Sequence, residues 1–387
     1  MPTNYNDYLQ YADDSQKEII TALKTQTQAQ AAKFLGISKR TLERKLRKLK
    51  EKAASKGYAP EYGLDKPAPD GFNVSTLRVN SSGEYVPAYA KVAKDKQSYK
   101  ELVDYLVESS KSFKKPKLTK APKNVDDELL NLYTITDLHI GLLCDADESG
   151  EDWDIHIAEE LVNDCLSDMI DRSPKAKTCI INQLGDFLHT DSLTPVTPAS
   201  GNVVDCDTRY PKMALKAFCI LKNMVELCLQ KHEKVVVYNL PGNHDESSAP
   251  WLQICMQGMF GDNPRVEVVQ DPKVYQHYVF GNNFLGFHHG HKSKMANLVN
   301  IFNSDPFFRS DWGSCKYSYI HSGHLHHLKV LEDNGAITTQ HPCLSARSAY
   351  ESRGGWASMR ACMAITYHKE FGEYNCVYSR PEMFTES

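Results

Sequence analysis

The sequence predicts a mixed α/β protein with a small all-α domain at its N-terminus. Helical spacing of apolar residues dominates positions 15–56. Beyond about Val125, short apolar runs typical of strands alternate with helical patterns, which indicates layered α/β structure. At 387 residues the chain exceeds one ordinary domain of about 100–200 residues, so we expect a large domain with smaller appendages.

The N-terminal segment has the pattern of a helix-turn-helix. Thr27 followed by Gln30 predicts a capping box that opens a helix, and Gly36 ends that helix. Ser38 is a suitable cap for the next helix. The apolar face of this second helix consists of Leu42, Leu46 and Leu49. Two helices joined by a glycine-containing turn form the motif.

Residues 28–52, QAQAAKFLGISKRTLERKLRKLKEK, resemble the helix-turn-helix of Fis-type DNA-binding proteins. In such a motif the second helix enters the major groove. The resemblance places one set of side chains toward the groove: Ser38, Lys39, Arg40, Thr41 and Arg44. A second set would lie near phosphates: Lys45, Arg47 and Lys48. DNA is therefore the expected partner, and a solvated three-helix bundle or a dimerisation module is the alternative.

Residues 58–124 have the pattern of a connecting region. An alternating stretch from Ser75 to Tyr89 predicts a β-hairpin with its turn at 81–83. We expect one more helix, roughly Ser98 to Phe113, and a linker rich in lysine and proline from Lys114 to Lys123. The expected domains are therefore 1–57, a helix-turn-helix; 58–124, a hairpin, helix and linker; and 125–387, the α/β domain.

Several strand-like runs of the α/β region end in loops rich in Asp, His, Asn and Gly. Along the chain the loops contain D-x-H at 137–139, GD at 185–186, GNHD at 242–245, HG at 289–290 and GHLH at 323–326. Ligands collect at the carboxyl ends of strands in such domains. Because residues i and i+2 of a strand point the same way, two imidazoles of GHLH can converge on one place. Each motif alone is weak, but the ordered set is specific.

These motifs, in this order, resemble the calcineurin-like metallophosphoesterase superfamily over about residues 130–370. The resemblance implies a β-sandwich flanked by helices (αββα), with two metal ions between the strand ends. The first ion would be held by Asp137, His139 and His326, the second by Asn243, His289 and His324, and Asp186 would bridge both. Within the cluster of histidines at 288–291, His289 is the expected ligand because the family's ligand immediately precedes glycine.

The resemblance also implies roles beyond metal binding. His244 would face the substrate, and Asp245 would orient His244. Two divalent ions about 3.5–4 Å apart can share a water, lower its pKa and bind the oxygens of a reacting phosphate. Mn²⁺ is the ion first implied by the family, and Fe, Zn or Ni also suit imidazole, carboxylate and amide ligands. Arg209 and Arg347 are expected either to contact phosphate or to form ordinary salt bridges.

The loop sequences narrow the expected substrate. Protein phosphatases of the superfamily carry GDxVDRG and GNHE, whereas this chain has GDFLHTD and GNHD. DLHIG, GDFLH and GNHD are closer to the nuclease subunit of double-strand-break repair complexes, which favours a DNA nuclease. The alternatives are a small-nucleotide phosphatase or phosphodiesterase, and a DNA-binding regulator with an inactive phosphoesterase domain. The domain layout is also similar to phosphoesterases of tailed phages and prophages.

Composition sets the remaining expectations. The net charge of -4 hides a basic segment at 33–56. There is no run of 18 or more apolar residues, no apolar leader and no C-x-x-C pair among the 11 cysteines. We therefore expect a protein of the cytoplasm, in a bacterial host if phage-encoded, with no membrane partner. A homo-oligomer is compatible with the sequence.

Overall fold

The computed structural model describes residues 5–54, 58, 72–79, 85–92, 114–198 and 201–384, the two strands at 72–79 and 85–92 by their backbone alone. The chain divides into two compact units, Met1–Val103 and Asp104–Ser387. The predicted three-part division at 57 and 124 stays a prediction. Among the helices within the described residues, none is long and apolar enough to cross a membrane.

The first unit begins with short helices. Its elements are the 3-10 helix Tyr5–Tyr11, α1 Asp14–Leu23, α2 Gln28–Phe34, α3 Lys39–Ala54, and strands β1 Phe72–Val79 and β2 Tyr85–Val92. The predicted capping box is present, because Thr27 and Gln30 bond each other's backbone N–H groups. Gly36 takes a left-handed φ of 65° and ends α2, and Ser38 Oγ accepts from Thr41 N at 3.1 Å. The apolar face of α3 is buried as predicted.

The region between the helix-turn-helix and the α/β unit is described in part. β1 and β2 pair antiparallel, which confirms the predicted hairpin. Its predicted turn at 81–83 and the predicted helix from Ser98 to Phe113 lie outside the described residues. The predicted linker, Lys114–Lys123, contains no helix or strand.

The second unit alternates strands and helices. Its strands are β3 Asp126–Ile135, β4 Ala176–Gln183, β5 Lys234–Asn239, β6 Val266–Val268, β7 Gln276–Phe280, β8 Asn283–Phe287, β9 Tyr317–Ser322, β10 Lys329–Asp333, β11 Ala336–Gln340, β12 Cys362–His368 and β13 Gly372–Ser379. Its helices are α4 Ala146–Ser149, α5 Ile155–Arg172, α6 Tyr210–Lys231, α7 Ser248–Phe260, α8 Met295–Ser304, α9 Arg309–Ser314, α10 Ala349–Gly354 and the 3-10 helix Pro381–Met383.

These strands form two sheets. The six-stranded sheet has the order β13-β12-β3-β4-β5-β6, in which β3 to β6 are parallel and β12 and β13 are antiparallel. The five-stranded sheet has the order β10-β11-β9-β8-β7, with β8, β9 and β11 parallel. Because parallel strands end at the same edge of a sheet, the polar loops that follow β3, β4 and β5 share one edge.

Alternating side chains hold the layers together. On β3, Leu130 and Leu132 pack between the two sheets, whereas Tyr133 and Ile135 pack against helices α5 and α6. On the other sheet, Phe284 of β8 packs on α8. The period-2 alternation of a strand thus buries both faces of each sheet. The result is a helix–sheet–sheet–helix sandwich, which confirms the predicted αββα fold class.

Candidate metal centre

The structure brings the predicted ligands of the first ion together. His139 Nε2 lies 3.2 Å from His326 Nε2, and His326 Nε2 lies 3.3 Å from Asp137 Oδ1. One ligand atom from each of the three residues lies within 4.8 Å of the others. The residues come from the loops after β3 and β9, which lie in different sheets. Sandwich packing therefore forms a group that could hold a metal ion.

A second group adjoins the first. Asp186, His289 and His324 also have ligand atoms within 4.8 Å of one another. His289 Nε2 lies 3.1 Å from Asp186 Oδ2 and 3.8 Å from Asp137 Oδ1, so the two groups are in direct contact. Two of the residues predicted for the second ion, His289 and His324, thus lie in this group together with Asp186, the predicted bridging ligand. Whether these residues bind metal stays a prediction.

Unpartnered buried atoms test whether this set fits a cation. Asp137 Oδ1, Asn243 Oδ1 and His289 Nε2 are each buried and have no hydrogen-bond partner outside the cluster among the described residues. Buried polar atoms are nearly always paired, because an unpaired one costs about 1–3 kcal/mol. Carboxylate oxygen, amide oxygen and imidazole nitrogen are all ligands of divalent transition metals. These three atoms of the predicted ligands are therefore ones that a cation would satisfy.

Several residues in these loops have a backbone conformation that is rare for residues other than glycine. Five predicted ligands adopt left-handed φ angles between 46° and 74°: Asp137, His139, Asp186, His324 and His326. Non-glycine residues rarely adopt this conformation, and its cost persists where the surroundings impose it, most often at functional sites. The left-handed conformation turns each side chain toward the common centre instead of continuing the strand alternation.

Glycine is required where the loops approach closely. A Cβ at Gly242 would lie 2.0 Å from Asp186 Oδ1, and a Cβ at Gly185 would lie 2.6 Å from the His289 ring. Both glycines therefore belong to their motifs for a steric reason. The GD and GNHD loops can pack onto the ligands only because these two positions carry no side chain.

Hydrogen bonds orient the ligand atoms. His289 Nδ1 lies 2.8 Å from the Leu184 carbonyl oxygen and donates to it, which directs Nε2 toward the cluster. Asp137 Oδ2 accepts from Thr136 Oγ1 at 2.6 Å and from His324 N at 2.9 Å, which leaves Oδ1 free. Such partners fix the tautomer and the direction of metal-binding side chains.

Glu351 is part of the site although the sequence did not predict it. Its Oε1 lies 2.6 Å from His326 Nδ1, while its Oε2 accepts from Ser348 N and Oγ at the start of α10. Burial would raise the pKa of Glu351, but the bond and charge of His326 outweigh it and hold the pKa at about 2. The S-x-x-E pattern predicts a capping box at 348–351, but it does not connect Glu351 to His326.

The carboxylates and imidazoles of the cluster shift each other's pKa values in opposite directions. Burial would raise the pKa of both Asp137 and Asp186, yet the facing imidazoles, His289 first, hold both pKa values well below the usual range. Conversely, burial would lower the pKa of His289, and the two carboxylates raise it to about 9. A proton on His289 therefore occupies the position of a cation, and binding of metal would release it.

The expected role of Asp245 is wrong in one respect. His244 Nδ1 lies 2.7 Å from the His189 carbonyl oxygen and donates to it, so His189, not Asp245, fixes the His244 ring. Asp245 instead accepts from the backbone N–H groups of Gly242, Phe187 and Leu188. A buried carboxylate satisfies these donors in preference to a side chain, because backbone N–H groups at this depth have no water to bond. Asp245 therefore joins the GNHD loop to the GDFLH loop.

Other histidines of the loops also have assignable contacts. His288 is buried, stacks on Tyr275 at 4.3 Å between ring centroids, and accepts from Gly290 N. His189 is buried beside His139, with 3.3 Å between the two Nδ1 atoms. His321 bonds His341 and Tyr367 beneath the centre. His189 also has a ligand atom within 4.8 Å of those of His139 and His244, so these three histidines form a further group that could hold a metal ion.

The cluster lies at the base of an open cleft of about 1430 Å³. His139, Asp186 and His326 contribute to its floor, and His244 and Arg347 line it as well. Asn243, His324 and His326 are partly exposed toward it. A substrate in this cleft can therefore reach the ligand groups, whereas Asp137 and Asp186 stay buried beneath them.

The predicted DNA-contacting residues of α3 fall into two sets. Arg40, Arg44 and Lys48 are exposed, and none of them forms an ion pair with another described residue. The remaining predicted cations have partners: Lys39 with Glu43, Arg47 with Glu51, and Lys45 with Ser15. Ser38 and Thr41 bond each other in the cap of α3. Arg40, Arg44 and Lys48 are therefore the residues most available to phosphate or bases. DNA contact by any of the predicted residues stays a prediction.

Comparison with known proteins agrees with the N-terminal prediction. Residues 14–49 match a family described as "Bacterial regulatory protein, Fis family". The predicted Fis-type helix-turn-helix is thereby confirmed. Among curated proteins no match is found.

Solved structures similar to this chain include phosphoesterases. One, described as a novel archaeal phosphodiesterase, is 12% identical, covers 64% of this chain and 99% of that chain, and has a TM-score of 0.33. A phosphoesterase from E. coli is 14% identical, covers 64% and 98%, and has a TM-score of 0.28. Vacuolar protein sorting 29 from Cryptosporidium parvum is 16% identical, covers 65% and 97%, and has a TM-score of 0.28. At such TM-scores the similarity carries nothing about substrate.

The class of protein is therefore defined by the chain's own fold and cluster. It is an αββα sandwich whose strand-end loops form a His/Asp cluster suited to divalent metal ions, preceded by a Fis-type helix-turn-helix.

Proposed function

We propose that this protein is a metal-dependent phosphoesterase that hydrolyses phosphodiester bonds in DNA. The observation that carries the proposal is the pair of adjoining ligand groups at the base of an open cleft, in which three buried atoms have no hydrogen-bond partner outside the cluster among the described residues. When two divalent ions are bound there, they supply Lewis acidity to phosphoryl oxygens and activate water. Mn²⁺ is the first ion to test.

Seven residues would hold the two ions. Asp137, His139 and His326 would hold one ion, and Asn243, His289 and His324 the other. Asp186 Oδ2 faces His289, and its Oδ1 accepts from His244 N at 2.8 Å. Asp186 is therefore held from two loops, and it would be the carboxylate shared by both ions.

His244 is the residue best placed to act on the substrate. Because its Nδ1–H donates to the His189 carbonyl oxygen, Nε2 is the ring atom left for chemistry. The ring lines the cleft at 4.7 Å from the His139 ring centroid. When Nε2 carries a proton as well, it can donate to a phosphoryl oxygen or protonate the leaving oxygen. The bonds of Asp245 to two loops hold this arrangement in place.

DNA is favoured over a mononucleotide by the size of the cleft and by the N-terminal helices. Pockets for small molecules have volumes of about 300–1,000 Å³, and this cleft is larger, at about 1430 Å³. The helix-turn-helix presents the exposed cations Arg40, Arg44 and Lys48, which suit a phosphate backbone. An inactive regulator is not favoured, because a lost activity gives no reason to keep five strained ligand positions.

The test is a substrate screen with the full-length protein and Mn²⁺. Single- and double-stranded DNA, RNA, a chromogenic diester and mononucleotides would be offered to the wild type and to Asp186→Ala. Asp164→Ala, which removes an exposed carboxylate of α5, is the matched control. We expect DNA cleavage by the wild type and the control, and none above background by Asp186→Ala. Turnover of mononucleotides alone would refute the DNA proposal, and turnover of no substrate would favour the regulator.

A further inference from the structure

Two large aromatic side chains are exposed on the wall of the cleft. Tyr350 is 72% exposed and Trp356 is 56% exposed. Their ring centroids lie 5.5 Å apart with an interplanar angle of 63°. Burial of aromatic side chains of this size would stabilise the fold considerably. A pair that stays exposed beside a candidate active site therefore indicates a binding surface.

The aromatic pair is tied directly to the metal centre. Tyr350 precedes Glu351 in α10, and the Glu351 carboxylate lies 2.6 Å from His326 Nδ1. Tyr350, Trp356 and His326 all line the same cleft. A ligand that fills this cleft can therefore contact both the aromatic pair and the cluster.

The Trp356 ring has a fixed position. Its backbone N donates to the Glu351 carbonyl oxygen at 3.1 Å. The ring packs on Gly354, where an added Cβ would lie 2.9 Å from Trp356 Cε3. The helix start is held in turn by the Ser348–Glu351 capping box. The pair is thus preorganised, so a ligand would not have to order these side chains on binding.

The cleft wall also carries a positive charge and apolar side chains, which are the groups that bind the phosphates and bases of a nucleic-acid strand. Arg347 donates to the Ser149 carbonyl oxygen at 3.0 Å, and it forms no ion pair with any described residue. Arg347 therefore keeps its charge for a phosphate. Leu143 and Val203 are exposed apolar residues that also line the cleft. Aromatic faces beside a cation and apolar side chains are how proteins bind single-stranded nucleic acid.

We propose that Tyr350 and Trp356 form a stacking platform for bases of single-stranded nucleic acid next to the scissile phosphodiester. This proposal rests on the proposed function, since it names the form of nucleic acid that the cleft takes. A duplex keeps its bases stacked on one another, so it offers no free base face to these rings. The platform therefore selects single strands, or unpaired ends of a duplex.

The test compares oligonucleotides with and without bases. Tyr350→Ala and Trp356→Ala, with Tyr350→Phe and Trp356→Phe as variants that retain a ring, would be made in the full chain. Trp251→Ala is the matched control, because Trp251 is 66% exposed on α7 and does not line the cleft. The substrates are a single-stranded DNA oligomer, the same oligomer with abasic sites, and methyl p-nitrophenyl phosphate.

We expect each alanine variant to raise KM for the oligomer by about 10-fold, within the range of base–aromatic stacking. The loss on the abasic oligomer should be at least several-fold smaller, and the phenylalanine variants should retain most of the affinity. Trp251→Ala should behave as the wild type. Equal losses on normal and abasic oligomers, or no loss on either, would overturn the platform.

A binding measurement tests the stacking platform independently of whether the protein cleaves DNA. The same variants, placed in an Asp186→Ala background, would be titrated with the two fluorescently labelled oligomers. If the wild type cleaves no oligonucleotide, the proposed function fails, yet the titration still decides on the platform. A preference for the normal oligomer that is lost with Tyr350→Ala and Trp356→Ala supports it, and the absence of any preference contradicts it.

Discussion

The two units of this chain place their functional groups in opposite physical settings. In the helix-turn-helix, Arg40, Arg44 and Lys48 project from a capped helix into solvent. In the α/β unit, the predicted metal ligands are buried or partly buried, and five have left-handed φ angles. All 15 histidines lie at or after His139, so none belongs to the helix-turn-helix. The functional groups of the helix-turn-helix are therefore exposed side chains of permanent positive charge. Those of the α/β unit are buried side chains whose charge depends on pH.

This difference in burial determines in which unit the functional groups lower the stability of the fold. Exposed cations on a helix contribute little to folding, so they can be selected for a partner at almost no cost. Buried carboxylates and unpartnered donor atoms lower the stability of the α/β unit until a cation satisfies them. Metal, acid and charge-removing substitutions should therefore affect the α/β unit far more than the helix-turn-helix.

Metal binding should give the largest contrast between the units. With Mn²⁺ at about 1,000 times its Kd, the α/β unit should gain about 4 kcal/mol of stability for each bound ion over the metal-free protein. Tryptophan fluorescence reports that unit alone, because all 4 tryptophans lie at or after Trp153. Unfolding in denaturant with Mn²⁺ or with EDTA would measure the gain. An unchanged midpoint would contradict a metal site in this unit.

Glu351→Gln should lower Mn²⁺ affinity about 10- to 100-fold, because the carboxylate beside His326 orients that ligand and raises its basicity. Glutamine keeps the capping box of α10, so the unfolding of the metal-free protein should change little. Titration with Mn²⁺ measures the affinity.

Glu332→Gln, on the exposed face of β10, is the matched control and should bind Mn²⁺ as the wild type does. A Glu351→Asp variant should recover part of the lost affinity. Equal affinities for Glu351→Gln and the control would show that Glu351 serves the helix cap alone.

Acid should destabilise the α/β unit through its buried histidines, of which His232 lies outside the cluster. Burial lowers the pKa of His232 to about 4, below the unfolded value of about 6.5. Its contribution to stability is complete above pH 6.5 and is lost as the pH falls toward 4. Between pH 6.5 and 5 the loss is about 2 kcal/mol, at about 1.4 kcal/mol per pH unit.

His232→Gln should remove about that much of the pH dependence when unfolding is followed by tryptophan fluorescence. His156→Gln, which changes an exposed histidine of α5, is the control and should leave the slope unaltered. Identical slopes for the two variants would contradict the buried neutral state of His232. The helix-turn-helix, which lacks histidine, should not respond to this pH range.

The smallest expected effect concerns the exposed cations. Arg44→Ala should reduce the salt dependence of duplex DNA binding by about 0.9 in the log–log slope, the value for one phosphate contact. Lys45→Ala should change it less, because Lys45 already donates to Ser15 at 3.0 Å. Fluorescence anisotropy over a salt series, in the Asp186→Ala background, measures both slopes. Equal slopes for Arg44→Ala and the wild type would remove Arg44 from the DNA contact.

The helix-turn-helix could be predicted because its signals are local. The Thr27–Gln30 box, the turn at Gly36 and the leucine spacing of α3 each lie within a few residues of the element they specify. The strands that precede the polar loops were predictable for a similar reason, since both faces are buried and the runs are nearly all apolar. β10 gave no such signal, because it is an edge strand with a polar sequence and Val330 is 60% exposed.

The ligand set of the candidate centre could be predicted from motif order, but its supporting contacts could not. Glu351 and His326 are separated by 25 positions and meet only because α10 packs beside the GHLH loop. Two partners of Asp245, Phe187 and Leu188, lie 58 and 57 positions away in the GDFLH loop. Contacts between loops depend on sheet packing, which motif spacing does not record.

The central claim is that two divalent ions bind in this cluster, and anomalous diffraction from crystals grown with Mn²⁺ tests it most directly. We expect two peaks about 3.5–4 Å apart, one in contact with Asp137, His139 and His326, and the other with Asn243, His289 and His324. Asp186 should contact both. Crystals at saturating Mn²⁺ with no anomalous peak among these side chains would contradict the account.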